Sequence, residues 1–243
     1  MFKKNILLLF ALAVIVFFSS IFEVNREVRI PDPNLKRALI NQGVDADNNG
    51  SISKGEMGKV VKLDLSGQSI EDLEGLQYLK KIQSLDLSNN YINNFESIKS
   101  LHTLNHLNIS SNGIEKIDFL RDLKEAKTLY ISNNKITNID PIENLTNLTF
   151  LSAGFNRITS IEKLERLVNL KHLYLEFNQI NDISALANLS SLETLHIFHN
   201  QITDIMPLQN LRVLKRLNIK ENNIKDFSPL NKLNRLNQLE YDK

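Results

Sequence analysis

The sequence predicts an α/β solenoid with a small helical N-terminal cap. Three observations carry that prediction. A 22-residue period begins at Val60, Ile82, Leu104, Ala126, Leu148, Leu170, Leu192 and Leu214, with a ninth, partial one at Leu236. Each period reads apolar-x-x-Leu-x-apolar, then two residues, an Asn (Gln68 in the first) and, two places on, an Ile. Three more apolar residues follow at three-residue spacing. A unit of this size cannot bury its apolar face alone, whereas stacked neighbours bury it in one continuous column.

The chain opens with Lys3 and Lys4 and an uninterrupted apolar run from Ile6 to Phe18. That order, basic then apolar, is the pattern of an export signal. Ser19 and Ser20 are small residues where a cut would fall, but Phe17 and Phe18 occupy places that favour small side chains. Read on to Phe22, the run reaches the short limit of a membrane span. Residues 1–22 are therefore expected to be a signal peptide or an N-terminal anchor, with residues 6–22 as the tether in the second case. The chain has no cysteine. That excludes disulfides, on which small exported domains usually rely, and any cysteine-borne lipid. An exported, cysteine-free array suits a bacterial protein. The Asn-x-Ser/Thr triplets at Asn108, Asn144, Asn147 and Asn188 would carry no meaning there.

Residues 30–59 are expected to form the cap. Pro33 to Gln42 reads as a short amphipathic helix, with Asp32 as N-cap, Pro33 in the first position and Leu35, Ala38 and Leu39 inward. The segment from Asp45 to Glu56 then fills every ligand place of a twelve-residue EF-hand-type loop. Asp45, Asp47 and Asn49 would supply oxygens at alternating positions. Gly50 would allow the sharp turn, Ser51 would offer its backbone carbonyl, Ser53 a direct or water-mediated ligand, and Glu56 two oxygens. Such a hard-oxygen shell suits Ca²⁺. The loop is single where such loops usually pair, and Val60 leaves little room for a following helix. The ion expected is thus structural and linked to folding. The alternative is an Asx-rich turn without metal.

Within a repeat, Leu148, Leu151 and Ala153 alternate across a short strand, and Ile161, Leu164 and Leu167 return toward the next. Asn90, Asn112, Asn134, Asn156, Asn178, Asn200 and Asn222 share one register. An interior amide there can satisfy backbone groups left open where a strand ends. Asp72, Asp182, Asp204 and Asp226 stand where short-helix caps would. Pro141, Pro207 and Pro229 share a register that suits a first helical turn. An apolar spacing of three fits 3₁₀ or irregular return segments.

The stretch LKHLYLEFNQINDISALANLSS, residues 170–191, resembles a leucine-rich repeat of the 22-residue class found in bacterial internalins. The resemblance covers residues 60–243, and the cap is similar to the helical caps of internalin-like proteins. It implies a curved right-handed solenoid with a parallel sheet on the concave face and a 3₁₀ or irregular convex side. Strands about 4.8 Å apart would make that sheet about 40 Å long. It also implies a protein that binds through its concave face.

The outward residues of that face can be read from the register. The first three repeats show Ser66, Asp86, Ser88, Asn108 and Ser110. Then Tyr130, Phe150, Phe155, Tyr174, Phe177 and Phe198 appear, with His172, His196, His199 and Glu176 among them. The core does not need these rings, because its leucine places are already filled. A contiguous aromatic patch on a rigid sheet is the signature of a binding surface. The competing reading is that Phe155 and Phe177 pack on each other and shield the sheet. The histidines invite a zinc reading, but no motif supplies them an acidic partner.

Net charge is +1 and no long basic run follows residue 4, which argues against nucleic-acid binding. No nucleophile elbow, phosphate loop, zinc-protease motif or spaced acid pair occurs, so no enzymatic activity is expected. Two readings follow. One is an exported module that holds a protein, or a surface glycan, on its concave face. The other is an intracellular scaffold or phosphatase-regulator-like subunit. The export segment and the calcium loop favour the first. The array reaches Leu239 and Tyr241 without an evident cap, and an open edge there would invite dimerisation. Neither an immunoglobulin-like segment nor a wall anchor is visible, so a role in host invasion is not expected.

Overall fold

The structure, a computed structural model, describes Val24 and residues 26–242. The expected signal or anchor of residues 1–22 lies outside the described residues. Among those described, no helix is long and apolar enough to cross a membrane.

The cap comes first, with helices α1 (Pro33–Asn41) and α2 (Lys54–Met57). Nine three-residue strands follow: β1 (Lys62–Asp64), β2 (Ser84–Asp86), β3 (His106–Asn108), β4 (Thr128–Tyr130), β5 (Phe150–Ser152), β6 (His172–Tyr174), β7 (Thr194–His196), β8 (Arg216–Asn218) and β9 (Gln238–Glu240). They form one parallel sheet in sequence order, each pairing in the register of the repeat, as Leu151↔Leu173 and Leu173↔Leu195 show. The chain returns between strands through 3₁₀ segments such as Glu162–Arg166, Ser184–Asn188 and Met206–Asn210.

The apolar spacing dictates this coil. In one repeat Leu170, Leu173, Leu175, Ile180, Ile183, Leu186 and Leu189 are each at most 1% exposed. They face the same places in the repeats before and after, so the core runs the length of the array. Truncating one such leucine to alanine costs about 2–5 kcal/mol.

The asparagine register closes the strand ends. Asn178 Nδ2 donates to the carbonyls of Ala153 (3.1 Å), Leu175 (3.0 Å) and Glu176 (3.3 Å), and its Oδ1 accepts Ile158 N–H at 2.9 Å. Each asparagine thus joins its own repeat to the one before. Asn90 and Asn200 repeat the pattern. Gln68 does not: it is exposed and its amide reaches only Ser66 O at 3.1 Å.

The cap aspartates read from the sequence act one step earlier than expected. Asp182, Asp204 and Asp226 accept the N–H groups of Ser184, Met206 and Ser228 at 2.7–2.8 Å, and Asp72 accepts that of Glu74 at 2.9 Å. These are Asx turns leading into the return, two residues in reach. The residue flanking the later 3₁₀ segments is Ile183, Ile205 or Phe227, none with a side-chain cap. Pro141, Pro207 and Pro229 do sit in the first 3₁₀ turn.

Asp32 welds cap to array. Its Oδ1 accepts Asn34 and Leu35 N–H at 2.8 and 3.0 Å, capping α1. Its Oδ2 accepts Glu71 and Asp72 N–H at 2.7 and 3.0 Å in the first repeat. Burial opposes its charge, but these four donors together hold the carboxyl below the usual carboxylate range.

Candidate functional site

The candidate site is the aromatic half of the concave sheet. Side chains alternate along a strand, so in β1 to β8 the first and third residues lie on the outward face while the leucine between them is buried. The parallel register lines these residues into rows. The first-residue row reads Lys62, Ser84, His106, Thr128, Phe150, His172, Thr194, Arg216. The third-residue row reads Asp64, Asp86, Asn108, Tyr130, Ser152, Tyr174, His196, Asn218.

Rings from the two rows make one connected surface. Phe150 lies 4.8 Å from Tyr130 and 5.3 Å from Tyr174 between ring centroids, bridging them across the small Ser152. Tyr174 meets His196 edge-on at 4.9 Å, and Phe150 meets His172 at 6.1 Å. His106 extends the chain of rings to Tyr130 at 5.6 Å. Burial lowers the pKa of His172, with Glu193 opposing, and burial likewise lowers that of His196, with Glu240 opposing. Both imidazoles are therefore neutral at neutral pH.

A second ladder stands just past the strands. Phe155, Phe177 and His199 stack in parallel, at 4.3 Å for the first pair and 4.2 Å for the second. Phe198 packs edge-on against Phe177 at 5.2 Å, and His199 Nε2 ends the ladder against the Glu221 carboxylate. All three stacked residues have positive φ, between 52° and 55°. The left-handed region disfavours bulky residues. The next repeat holds them there, since their N–H groups donate to Glu176 O, Phe198 O and Lys220 O at 2.8–3.1 Å.

Glu176 lies in the outward row that reads Ser66, Ser88, Ser110, Ser132, Gly154, Glu176, Phe198, Lys220. Its carboxyl folds back over Gly154, where an added Cβ would meet Oε1 at 2.5 Å. Oε2 is shielded from solvent and has no hydrogen-bond partner. Burial pushes this carboxyl above the usual range, its own backbone N–H opposing in part.

All ten residues read from the sequence as the binding face therefore gather on it. Phe155 is exposed, at 50%. Tyr130, Phe150, His172, Tyr174, Glu176, Phe177, His196, Phe198 and His199 are only half-buried, because the rings cover one another.

The loop of residues 45–56 brings Asp45, Asp47 and Glu56 together, with carboxylate oxygens within 4.8 Å of one another. Among the described residues no other such group of three forms, and His172, His196 and His199 stay in separate rows. Asp45 accepts the N–H groups of Asn49 and Gly50 at 3.1 and 2.9 Å, and Gly50 takes φ +81° in the turn. Glu56 accepts Ala46 N–H, Ser53 N–H and the Ser53 hydroxyl, each at 2.8 Å. Burial opposes its charge, while these donors hold its carboxyl below the usual range. Asn49 Nδ2 donates to Asp47 at 2.8 Å, and its Oδ1 accepts Ser51 N–H at 2.8 Å. The donor chemistry fits a hard divalent cation: three carboxylates converge, with Asn49, Ser51 and Ser53 on the same loop. Ser53 is also the N-cap of α2, in a capping box with Glu56.

Family profiles described as leucine-rich repeats match residues 81–101, 100–116, 127–166, 146–188, 168–213 and 190–232. Among solved structures, internalin C2 of Listeria monocytogenes is 33% identical over 87% of this chain and 94% of its own, with a TM-score of 0.84. The chain belongs to the internalin-like leucine-rich repeat family. An internalin F from Listeria monocytogenes, at 25% identity and TM-score 0.64, covers 88% of this chain and 76% of its own. A leucine-rich repeat protein of Leptospira interrogans, at 24% identity and TM-score 0.67, covers 83% and 57% and shares the fold. A search of curated proteins found no match.

Three features of this internalin-like face were missed in the sequence. His106 extends the patch, and its register with Phe150 and His172 was the available signal. The left-handed turn was signalled by three of its five other occupants, Gly67, Asn89 and Asn133, residue types that tolerate positive φ. The Glu176–Gly154 contact was signalled only by a break in a row of serines.

Proposed function

We propose that this chain is an exported protein-binding module that takes its partner on the aromatic part of the concave face. One observation carries the reading: two ring clusters, one from Tyr130 to His196 and one from Phe155 to His199, stand on a sheet whose core is complete without them. Such rings are rigid and apolar, and they release water from a large area at little entropic cost. Membership of the internalin-like family supports a binding role over catalysis, and the basic-then-apolar start of the chain supports export. The test is substitution: Phe177→Ala with Tyr174→Ala should abolish partner capture while shifting the melting temperature only slightly. Strong destabilisation with capture intact would reject the reading, and a surface glycan as the captured species would redirect it.

The second part of the proposal is a structural Ca²⁺ held by Asp45, Asp47, Asn49, Ser51, Ser53 and Glu56. The convergence of three carboxylates supports it. The ion would close the cap loop from Asp45 to the start of α2 and would therefore act on folding. Saturating Ca²⁺ at one hundred times its Kd should add about 2.7 kcal/mol of stability. A chelator should lower the melting temperature of the natural chain but not of Glu56→Gln. Equal melting with and without Ca²⁺ would leave an ordinary acidic turn.

A further inference from the structure

Glu176 has no task in the fold. Its carboxyl accepts no bond from another residue at Oε2, yet it is covered. It is not there to pair with a neighbouring cation: Lys220, beyond Phe198 in the same row, pairs with Glu240 at 3.3 Å. The Gly154 beside it does not need to be glycine for backbone reasons, because its φ is not in the left-handed region. What glycine supplies is room, since any Cβ would strike the Glu176 carboxyl. A covered acid without a partner is costly when charged. Burial works against its charge while it lies folded over Gly154, and an arriving cation would favour that charge.

The surroundings specify that cation. Phe177 and Phe198 flank Glu176 in sequence or in row, and Phe155 stacks on Phe177. The nearby His172 and His196 are neutral at neutral pH and do not compete. A carboxylate among ring faces matches a guanidinium, which stacks flat on rings and offers two parallel N–H donors to a carboxylate. We propose that Glu176 is the specificity anchor of the concave face and receives an arginine side chain of the protein partner, flanked by apolar residues that lie on the rings. Gly154 is where the carboxyl rests until that arginine draws it out. This inference rests on the aromatic face being the binding surface.

The test begins with a random dodecapeptide library selected on the full-length protein at pH 7, keeping peptides whose binding is lost on Phe177→Ala. Those peptides should carry an arginine beside apolar residues. A synthetic peptide from this set should bind Glu176→Gln at least tenfold more weakly than the natural protein. Exchanging its arginine for citrulline should cost as much on the natural protein and nothing further on Glu176→Gln. The melting temperature of Glu176→Gln should not fall, which separates recognition from folding. Phe177-dependent peptides without a basic residue, or with less than twofold sensitivity to Glu176→Gln, would overturn the inference and leave the aromatic face standing. A selection that yields no Phe177-dependent peptide would count against both.

Discussion

The first three repeats and the later ones share a backbone and differ in what they show to solvent. Both halves bury the same leucines, pair their strands in the same register and close their ends with the same asparagine bonds. On the concave face, however, the early repeats carry polar groups bonded to one another. Asp86 accepts the Ser88 hydroxyl at 2.6 Å and the Asn108 amide at 2.8 Å. The later repeats carry rings that pack chiefly on other rings, and an acid whose Oε2 has no partner. A polar face whose groups satisfy each other has little left to offer a partner. An apolar face with an unmet acid has both area and a directional demand. The scaffold is thus generic, and under the proposed function recognition falls to the few outward positions that the core leaves free.

If the scaffold is shared, breaking it should hurt far more than changing either face. Asn178→Ala leaves the Ile158 N–H without an acceptor and takes one of two asparagine donors from each of the Ala153 and Leu175 carbonyls. The expected loss is about 3 kcal/mol, read by urea unfolding. Gln68→Ala, in the same register but exposed, should stay within about 0.5 kcal/mol. Equal costs would mean the asparagine column is not what joins the repeats.

Asp32→Ala should come next, at about 2 kcal/mol, because it removes an N-cap and leaves Glu71 and Asp72 without an acceptor. Its folded pKa is depressed, so its contribution is present above the ordinary carboxylate pKa and is lost as pH falls through the folded value. Acid unfolding of natural and Asp32→Asn protein should therefore converge at low pH. Curves that remain parallel would contradict the role given to this carboxylate.

The aromatic half should carry its own pH signature. His172 and His196 have lowered pKa values, so the unfolded chain takes up their protons first. Stability should fall as pH drops below about 6.5, and His172→Gln with His196→Gln should flatten that fall. Glu176 has the opposite sign: its pKa is raised, so stability should fall as pH rises through the range above about 4.3. Glu176→Gln should then melt higher than the natural chain at pH 7 and about level with it at pH 4. A variant that melts lower at pH 7 would show that Glu176 is paired in solution.

The smallest effect concerns the left-handed ladder. Phe177→Gly and Phe177→Ala lose the same stacked ring, but glycine accepts φ near 52° freely. The glycine variant should be the more stable by about 1 kcal/mol. The reverse order would mean the next repeat imposes no strain there.

Much of this was legible because a repeat multiplies weak signals. One leucine or one asparagine says little; the same residue every twenty-second place fixes strand, turn and core together. The ten face residues followed from that register, and α1 from Asp32, Pro33 and the spacing of Leu35, Ala38 and Leu39. What stayed illegible depends on geometry between repeats. Half-burial of Phe150 or Tyr174 arises from rings meeting across strands, and the resting place of Glu176 depends on an absent side chain at Gly154. The Asx turns at Asp182 and Asp204 were placed one step late because sequence marks the acid but not which N–H it reaches.

The proposed function requires the aromatic half of the concave face, and not the polar half, to touch the partner. Photocrosslinking tests it directly, with benzoylphenylalanine placed at Phe155 in one preparation and at Asp86 in another, each exposed to culture medium and cell-envelope extract. A discrete adduct is expected from position 155, suppressed by Tyr174→Ala, and none from position 86. An adduct from position 86 alone, or one at 155 indifferent to Tyr174, would contradict it.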